Sequence, residues 1–360
     1  MRRRDLLAGA GSVAGAATLS FPTPAIAQGI REFRMVTDWP EGLPGLQTSA
    51  VRLARAIAVA SGGRIKIEVF PAGALVRPFE TFDAVGAGVA EMFHTSAAYF
   101  EKKSKAFNFY GNTVPFGLTA DEFFAWIQYG GGQELWDELY GQFNIKPLLC
   151  TSTGTQMGGW FNSEITSPDG FNGLRYRMPG LGGEVLRRLG AIVVSLPGSE
   201  IVPSLKSGAL DASEWIGPWA DVAMGLHKAV SYYYYPGFHE PGTGQTLGIN
   251  RAVWESLDSG DRQLIETAAS AEYVTSLAEF NMNNALWLRK LRDEGTVKIL
   301  KFDDSVLRAF LSISNDVVAE AGAGDDVSKR VYASYQQFRA SMMDWSEVAD
   351  RAFLNSRRLA

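Results

Sequence analysis

The run Ile65-Lys66-Ile67-Glu68-Val69-Phe70-Pro71-Ala72-Gly73 decides how the chain is read. Apolar Ile65, Ile67 and Val69 alternate with charged Lys66 and Glu68, the period of a strand with one covered face. Pro71-Ala72-Gly73 stops it, because proline cannot donate to a ladder and glycine turns easily. Before the strand, residues 47–60 carry a helical period that ends at Gly62-Gly63. After it, residues 78–87 read as a second helix and Met92-Phe93-His94-Thr95 as a short strand. Phe33-Arg34-Met35-Val36 supplies an opening strand. Helices alternating with short strands predict α/β layers.

The second half repeats the style. Strands are expected at 174–178, 192–194 and 230–235, with a strand end at Ala212-Ser213-Glu214-Trp215. Helices are expected at 183–189 (closed by Gly190), 199–207 (closed by Gly208) and 219–228. Residues 259–294 form one proline-free helical pattern. At 1.5 Å per residue it spans roughly 54 Å, more than one small domain, so it either braces two lobes or breaks near Asn281 to Asn284. Two further helices follow, at 305–320 and from 326 to about 353. The last carries an apolar stripe that includes Val331, Tyr335, Phe338, Met342, Trp345 and Val348. Such a stripe serves packing on the chain's own body or docking on a second subunit equally well.

At the N-terminus, Arg2-Arg3-Arg4-Asp5-Leu6-Leu7 precedes an Ala/Gly-rich apolar run and the small-x-small site Ala25-Ile26-Ala27. This is the layout of an export signal over 1–27, and the arginine order fits the twin-arginine type. Loss of that segment, with three Arg and one Asp, takes the formal net charge from −5 to −7. An acidic surface argues against nucleic acid as a partner, which requires a clustered basic face. The single cysteine, Cys150, cannot form an internal disulfide, so the fold rests on its apolar core.

Enzyme chemistries find little support. The three histidines, His94, His227 and His239, lack the spacing of a helical metal pair, and no nucleophile elbow or phosphate-cradling loop is present. Glu214 and Glu240 could be read as a glycosidase pair, but pairs are easily found among 39 acidic residues. Binding explains more. In Gly173-Leu174-Arg175-Tyr176-Arg177-Met178-Pro179, alternation places Arg175 and Arg177 on one face of a strand. A guanidinium holds a carboxylate by two parallel hydrogen bonds, although a lone arginine is more often a surface ion-pair residue. Glu214-Trp215-Ile216-Gly217-Pro218-Trp219 and His239-Glu240-Pro241-Gly242 end strands, where ligands of open α/β sheets gather.

These stretches resemble the extracytoplasmic receptors of tripartite ATP-independent periplasmic (TRAP) transporters over nearly the whole mature chain. Phe70-Pro71-Ala72-Gly73, Gly173 to Arg177, Leu189-Gly190-Ala191 and Ser207-Gly208-Ala209-Leu210-Asp211 follow that pattern. A narrower similarity, to the receptors for 2-oxo acids, lies in Thr153 to Phe161, Glu214 to Pro218, and Tyr232 to Gly237 with Glu240. The resemblance implies a periplasmic, two-lobed α/β binding protein with a hinge, a long lobe-bridging helix and a C-terminal helix. Lobe one would take 28–152 and about 245–275. Lobe two would take 153–244 and about 276–325. Residues 326–360 would be a dimerisation element. It further implies that Arg177 pairs with the substrate carboxylate, that Gln156 and Trp215 also contact substrate, and that Gln156, Glu214, Trp215 and Glu240 surround a bridging cation.

A 2-oxo or 2-hydroxy acid, such as pyruvate or lactate, can chelate a hard cation through its carboxylate and its neighbouring oxygen. Sodium would leave one surplus negative charge among cation, arginine, two glutamates and ligand, and calcium none, so Na⁺ and Ca²⁺ both stay open. The expected partners are a small carboxylate, the permease subunits of a TRAP transporter and a second copy of the chain. The rivals are a receptor for a sugar acid or dicarboxylate, and an exported carboxylate-processing enzyme. The first lobe departs from the family pattern at His94 to Phe100 and Phe107 to Phe116, leaving side-chain specificity open.

Overall fold

The computed structural model describes residues 29–359; the export signal read in 1–27 lies outside the described residues. Eleven strands make two sheets among the described residues. They are β1 (Arg31–Thr37), β2 (Ile65–Phe70), β3 (Met92–Thr95), β4 (Ile145–Gly154), β5 (Gly159–Phe161), β6 (Arg175–Arg177), β7 (Ile192–Val194), β8 (Ala212–Ser213), β9 (Tyr232–Tyr235), β10 (Thr243–Asn250) and β11 (Lys298–Lys301). The first sheet has the order β2-β1-β3-β10-β4, and the second β11-β9-β5-β8-β6-β7. Each sheet anchors one lobe of a two-lobed α/β fold.

The strand that opened the reading pairs in parallel with β1, with Ile65 opposite Arg31 and Phe70 opposite Val36. β10 runs antiparallel between β3 and β4, and all of its residues are buried. The chain therefore passes from the first sheet to the second at the end of β4 and returns at the start of β10, where Thr243 pairs with Gly154. In the second sheet, β6 and β8 are parallel neighbours, with Arg177 opposite Ser213.

The expected helix at 78–87 is shorter, Thr81–Gly86. Phe79 takes a left-handed conformation (φ 68°), and its N–H is captured by Asp38 Oδ1 at 2.7 Å, so the backbone there cannot be helical. The long helix, Ser259–Glu294, is continuous. Asn281, Asn283 and Asn284 do not break it, and the last two have side-chain partners. Asn283 donates to the Glu279 carbonyl at 2.9 Å, and Asn284 Oδ1 accepts from Trp219 N–H at 3.1 Å. The C-terminal helix is divided into Asp326–Val348 and Asp350–Ser356. Its stripe is divided too. Val331 and Tyr335 are buried in the chain's own body, where Tyr335 donates to Asn112 Oδ1 and accepts from Leu118 N–H, both at 2.9 Å. Trp345, Val348 and Phe353 face outward.

One apolar cluster joins the lobes. Trp39, Leu43 and Leu46, from the loop after β1, pack with Trp160, Trp215 and Ile216 of the second lobe and with Phe280 of the long helix. Gly45 sits at this seam with φ 83°, and a Cβ there would lie 2.2 Å from the Phe280 ring. Gly45→Ala combines left-handed strain with overpacking, each costing about 1–3 kcal/mol. It should lower the urea midpoint markedly without changing the slope of the transition, measured by circular dichroism.

Candidate functional site

Four loops at strand ends converge between the lobes. Arg177 ends β6, and Glu214 and Trp215 follow β8, so parallel pairing of those two strands sets Arg177 beside Glu214. Gln156 follows β4 and Glu240 precedes β10. Their loops are laced together by backbone bonds, Gln156 N–H to the Glu240 carbonyl at 3.2 Å and Gly237 N–H to the Gln156 carbonyl at 3.1 Å. A Cβ at Gly237 would stand 2.5 Å from that same carbonyl oxygen, which is why the approach needs glycine. The cavity they enclose is small and is lined by residues of both sheets' strand-end loops.

All five residues expected at the site line this cavity: Gln156, Arg177, Glu214, Trp215 and Glu240. Each is buried, Arg177 and Glu214 to within 1% of complete. Arg175, on the same strand face, has a different fate. It is exposed and gripped by Asp211 through two hydrogen bonds of 2.8 and 2.6 Å. Arg177 instead bonds Glu214 through Nη1 and the Leu196 carbonyl through Nε at 3.1 Å. Its Nη2 is buried without a protein partner, so one terminal nitrogen, not two, is available to an acid. The Trp215 ring lies 5.3 Å from the guanidinium carbon.

Charge is unbalanced here. Burial opposes the Arg177 charge, but Glu214 beside it holds its pKa above the ordinary arginine value. Glu240 is pushed up to about 7, first by burial and then by Glu214. Its Oε2 accepts only from the Thr243 hydroxyl, at 2.7 Å. Gln156 donates to Thr243 Oγ1 at 3.1 Å, while its Oε1 is buried with no partner. A cradle with two carboxylates and an orphaned amide oxygen fits a hard cation.

The structure adds residues that spacing did not reveal. His239 is buried with neither ring nitrogen hydrogen-bonded, and Nε2 lies 3.6 Å from Glu214 Oε2. Ligand-capable atoms of Glu214, His239 and Glu240 fall within 4.8 Å of one another. The sequence signal was adjacency to Glu240, which a search for paired histidines passes over. From the first lobe come Trp39 and Tyr99. Burial holds the Tyr99 phenol well above its ordinary pKa even with Arg177 nearby.

Asp221 keeps the Glu214–Gly217 loop in place. Its carboxylate accepts from Ile216 N–H and Gly217 N–H, both at 3.0 Å, from Trp160 Nε1 at 2.8 Å and from the Tyr233 hydroxyl at 2.7 Å.

A family model for DctP, described as bacterial extracellular solute-binding protein, family 7, matches residues 36–325. The chain is 39% identical over 323 residues to a monocarboxylate 2-oxoacid-binding periplasmic protein of a Nostoc species, covering 90% of this chain and 88% of that one. It is similar to the crystal structure of a TRAP transporter solute-binding protein from Bordetella bronchiseptica, a mixed-occupancy dimer with copurified calcium and picolinate at one site and the other apo. The TM-score is 0.89 and the identity 34%, over 92% of this chain and 98% of that one. A TRAP periplasmic solute-binding protein from Pseudoalteromonas atlantica, with bound sodium and pyruvate, superposes with a TM-score of 0.87 at 32% identity, over 91% and 99% of the two chains.

Asp221→Asn would turn amide hydrogens toward the Trp160 indole N–H or the Ile216 and Gly217 N–H groups, all of which only donate. It should cost about 2–3 kcal/mol of stability, because buried donors lose their acceptor. Chemical denaturation of the variant checks this, and a midpoint equal to the parent's would show that the loop is held by other means.

Proposed function

We propose, for a chain that belongs to the DctP family of TRAP solute-binding receptors, that its cleft captures a small 2-oxo or 2-hydroxy monocarboxylate together with a sodium or calcium ion. The observation that carries this reading is the burial of Glu214 and Glu240 around a single guanidinium, with Gln156 Oε1 unpartnered. A carboxylate ligand entering that site would worsen an existing excess of negative charge unless a cation came with it. Gln156, Glu214 and Glu240 would hold the ion, with the Trp215 carbonyl as a further oxygen. The ion supplies positive charge to the acid's carboxylate and to the oxygen beside it. Arg177 would meet the same carboxylate through Nη2, and Trp215 and the Gln156 side chain would border the acid.

Binding at a seam between lobes suits a receptor that closes by hinge motion. The hinge would lie at the paired ends of β4 and β10, dividing the lobes at 152/153 and 244/245, with the long helix bracing both. The mature protein would work in the periplasm and hand its acid to the permease subunits of a TRAP transporter. No helix among the described residues is long and apolar enough to cross a membrane. The family consists of solute-binding receptors, so the chain is read as binding its acid without turnover.

The outward half of the C-terminal helix would join two copies. Trp345, Val348 and Phe353 are each more than 60% exposed, while the inward half already serves the chain's own core. The Bordetella relative is a dimer.

Arg177→Ala should weaken pyruvate binding more than a hundredfold, since loss of one side of a buried charge pair costs about 3–5 kcal/mol. Isothermal titration calorimetry showing near-parental affinity would remove Arg177 from the site. Propionate, which lacks the second oxygen, should bind far more weakly than pyruvate to the parent protein, and equal affinities would refute chelation. Trp345→Glu combined with Phe353→Glu should yield a folded monomer by light scattering at micromolar concentration. A parent that is itself monomeric would refute the assignment of this helix.

A further inference from the structure

Behind the first-lobe wall of the cleft, five buried side chains form one unbroken hydrogen-bonded row. Trp39, which lines the cleft, donates from Nε1 to His94 Nδ1 at 2.7 Å. His94 Nε2 lies 2.9 Å from Thr151 Oγ1, and Thr151 Oγ1 lies 2.6 Å from Ser49 Oγ. Ser49 Oγ donates to Glu272 Oε1 at 2.6 Å. The row crosses four elements: β3, β4, the helix Gln47–Ala60 and the long helix. None of the five is more than 4% exposed.

The direction of every proton in the row is forced. An indole N–H can only donate, so His94 Nδ1 accepts and is bare. Burial pulls the imidazole pKa down to about 3, so the ring is neutral and its one proton sits on Nε2. That proton goes to Thr151. At the far end a carboxylate can only accept, so Ser49 gives it its hydrogen and must accept from Thr151. All four bonds therefore point the same way, from the cleft toward the Glu272 anion, and each polarises the next.

The anchoring anion is itself fixed. Arg52 grips Glu272 with Nε at 2.9 Å from Oε2 and Nη2 at 2.6 Å from Oε1, and also reaches Glu279 Oε2 at 2.9 Å. Further along the same helix, Phe280 packs on Trp219 with ring centres 5.2 Å apart, and Asn284 accepts from Trp219 N–H. Trp219 lies in the first turn of the helix Pro218–Met224, which follows the Glu214–Gly217 loop. One rigid helix thus carries the anchor of the Trp39 wall and a brace for the opposite wall.

We propose that His94, Thr151 and Ser49 are positioning residues that hold the Trp39 indole against the bound acid through the fixed charge of Glu272, and that this rigid wall makes the cleft prefer pyruvate over 2-oxo acids with longer chains. The inference rests on reading the cleft as a small-acid site. A row that merely satisfied buried polar groups would affect stability when cut and leave the preference alone.

The test uses the ¹⁵N-labelled mature protein and its Ser49→Ala variant, cut three links from the ligand. In the parent, nitrogen spectra should show His94 with a bare Nδ1 and a protonated Nε2, and the Trp39 indole proton at low field. In Ser49→Ala the indole resonance should move upfield. The preference for pyruvate over 2-oxoisocaproate should fall about fivefold, the size expected when a hydrogen bond worth about 1 kcal/mol is lost. Ser49→Thr, which keeps the hydroxyl, should restore both. Trp39→Phe removes the first donor and leaves a smaller aromatic side chain, so His94 should show mixed tautomers, and that readout decides the matter should Ser49→Ala not fold. A folded variant with unmoved resonances and the parental preference overturns the proposal. A parent that binds no 2-oxo acid defeats the reading of the cleft instead, and the indole shift between parent and Ser49→Ala then decides the relay alone.

Discussion

Two carboxylates, Glu214 and Glu240, are buried beside one guanidinium, and the rest of the structure is arranged around that imbalance. An uncompensated buried charge costs several kilocalories, so the fold must either neutralise it or fill the site with something that does. Arg177 answers Glu214. Glu240 has a threonine hydroxyl and little else, and its pKa near 7 reflects burial first and the neighbouring glutamate second. A cradle of this kind is tolerable in a receptor whose resting partner is a small ion and whose cargo is an acid able to share that ion.

The architecture holds the imbalance in place from several directions. Parallel pairing of β6 with β8 sets Arg177 and Glu214 side by side. Asp221 clamps the loop that carries Glu214 and Trp215, and the backbone lacing between Gln156, Gly237 and Glu240 fixes the opposite side. The apolar seam of Trp39, Leu43 and Leu46 against Trp160, Trp215 and Ile216 closes the cleft over these groups. The side chains of the seam are buried and apolar, and a low-dielectric surround strengthens charge interactions beside it.

Much of the fold was legible in the sequence because its signals are local. The alternation of Ile65 to Val69 and the unbroken period of the long helix need no knowledge of distant partners. The exceptions have physical causes. Phe79 leaves the helix because Asp38, far away in sequence, captures its N–H. The stripe of the last helix reads as one feature, yet half of it is spent on the chain's own core. At the site, strand alternation placed Arg175 and Arg177 on one face but could not tell the surface pair with Asp211 from the buried pair with Glu214. The roles of Gln156, Glu214, Trp215 and Glu240 came from family resemblance, and the structure brings all of them to one cavity. His239 was signalled only by its place next to Glu240, and Tyr99 and Trp39 carry no local signal of ligand binding. These two reach the cavity through the joining of two lobes, which periodicity does not encode.

The central claim is that acid and cation bind as a coupled pair. The most direct measurement is calorimetric titration of pyruvate into protein stripped by chelator and by dialysis against a sodium-free buffer, then repeated with Na⁺ and with Ca²⁺ restored. The account predicts reciprocal positive coupling, with pyruvate affinity rising at least tenfold, about 1.4 kcal/mol, when one of the two ions is returned. Equal affinity in all three conditions would contradict it, because the buried glutamates would then be accepting an anion with no cation to balance them.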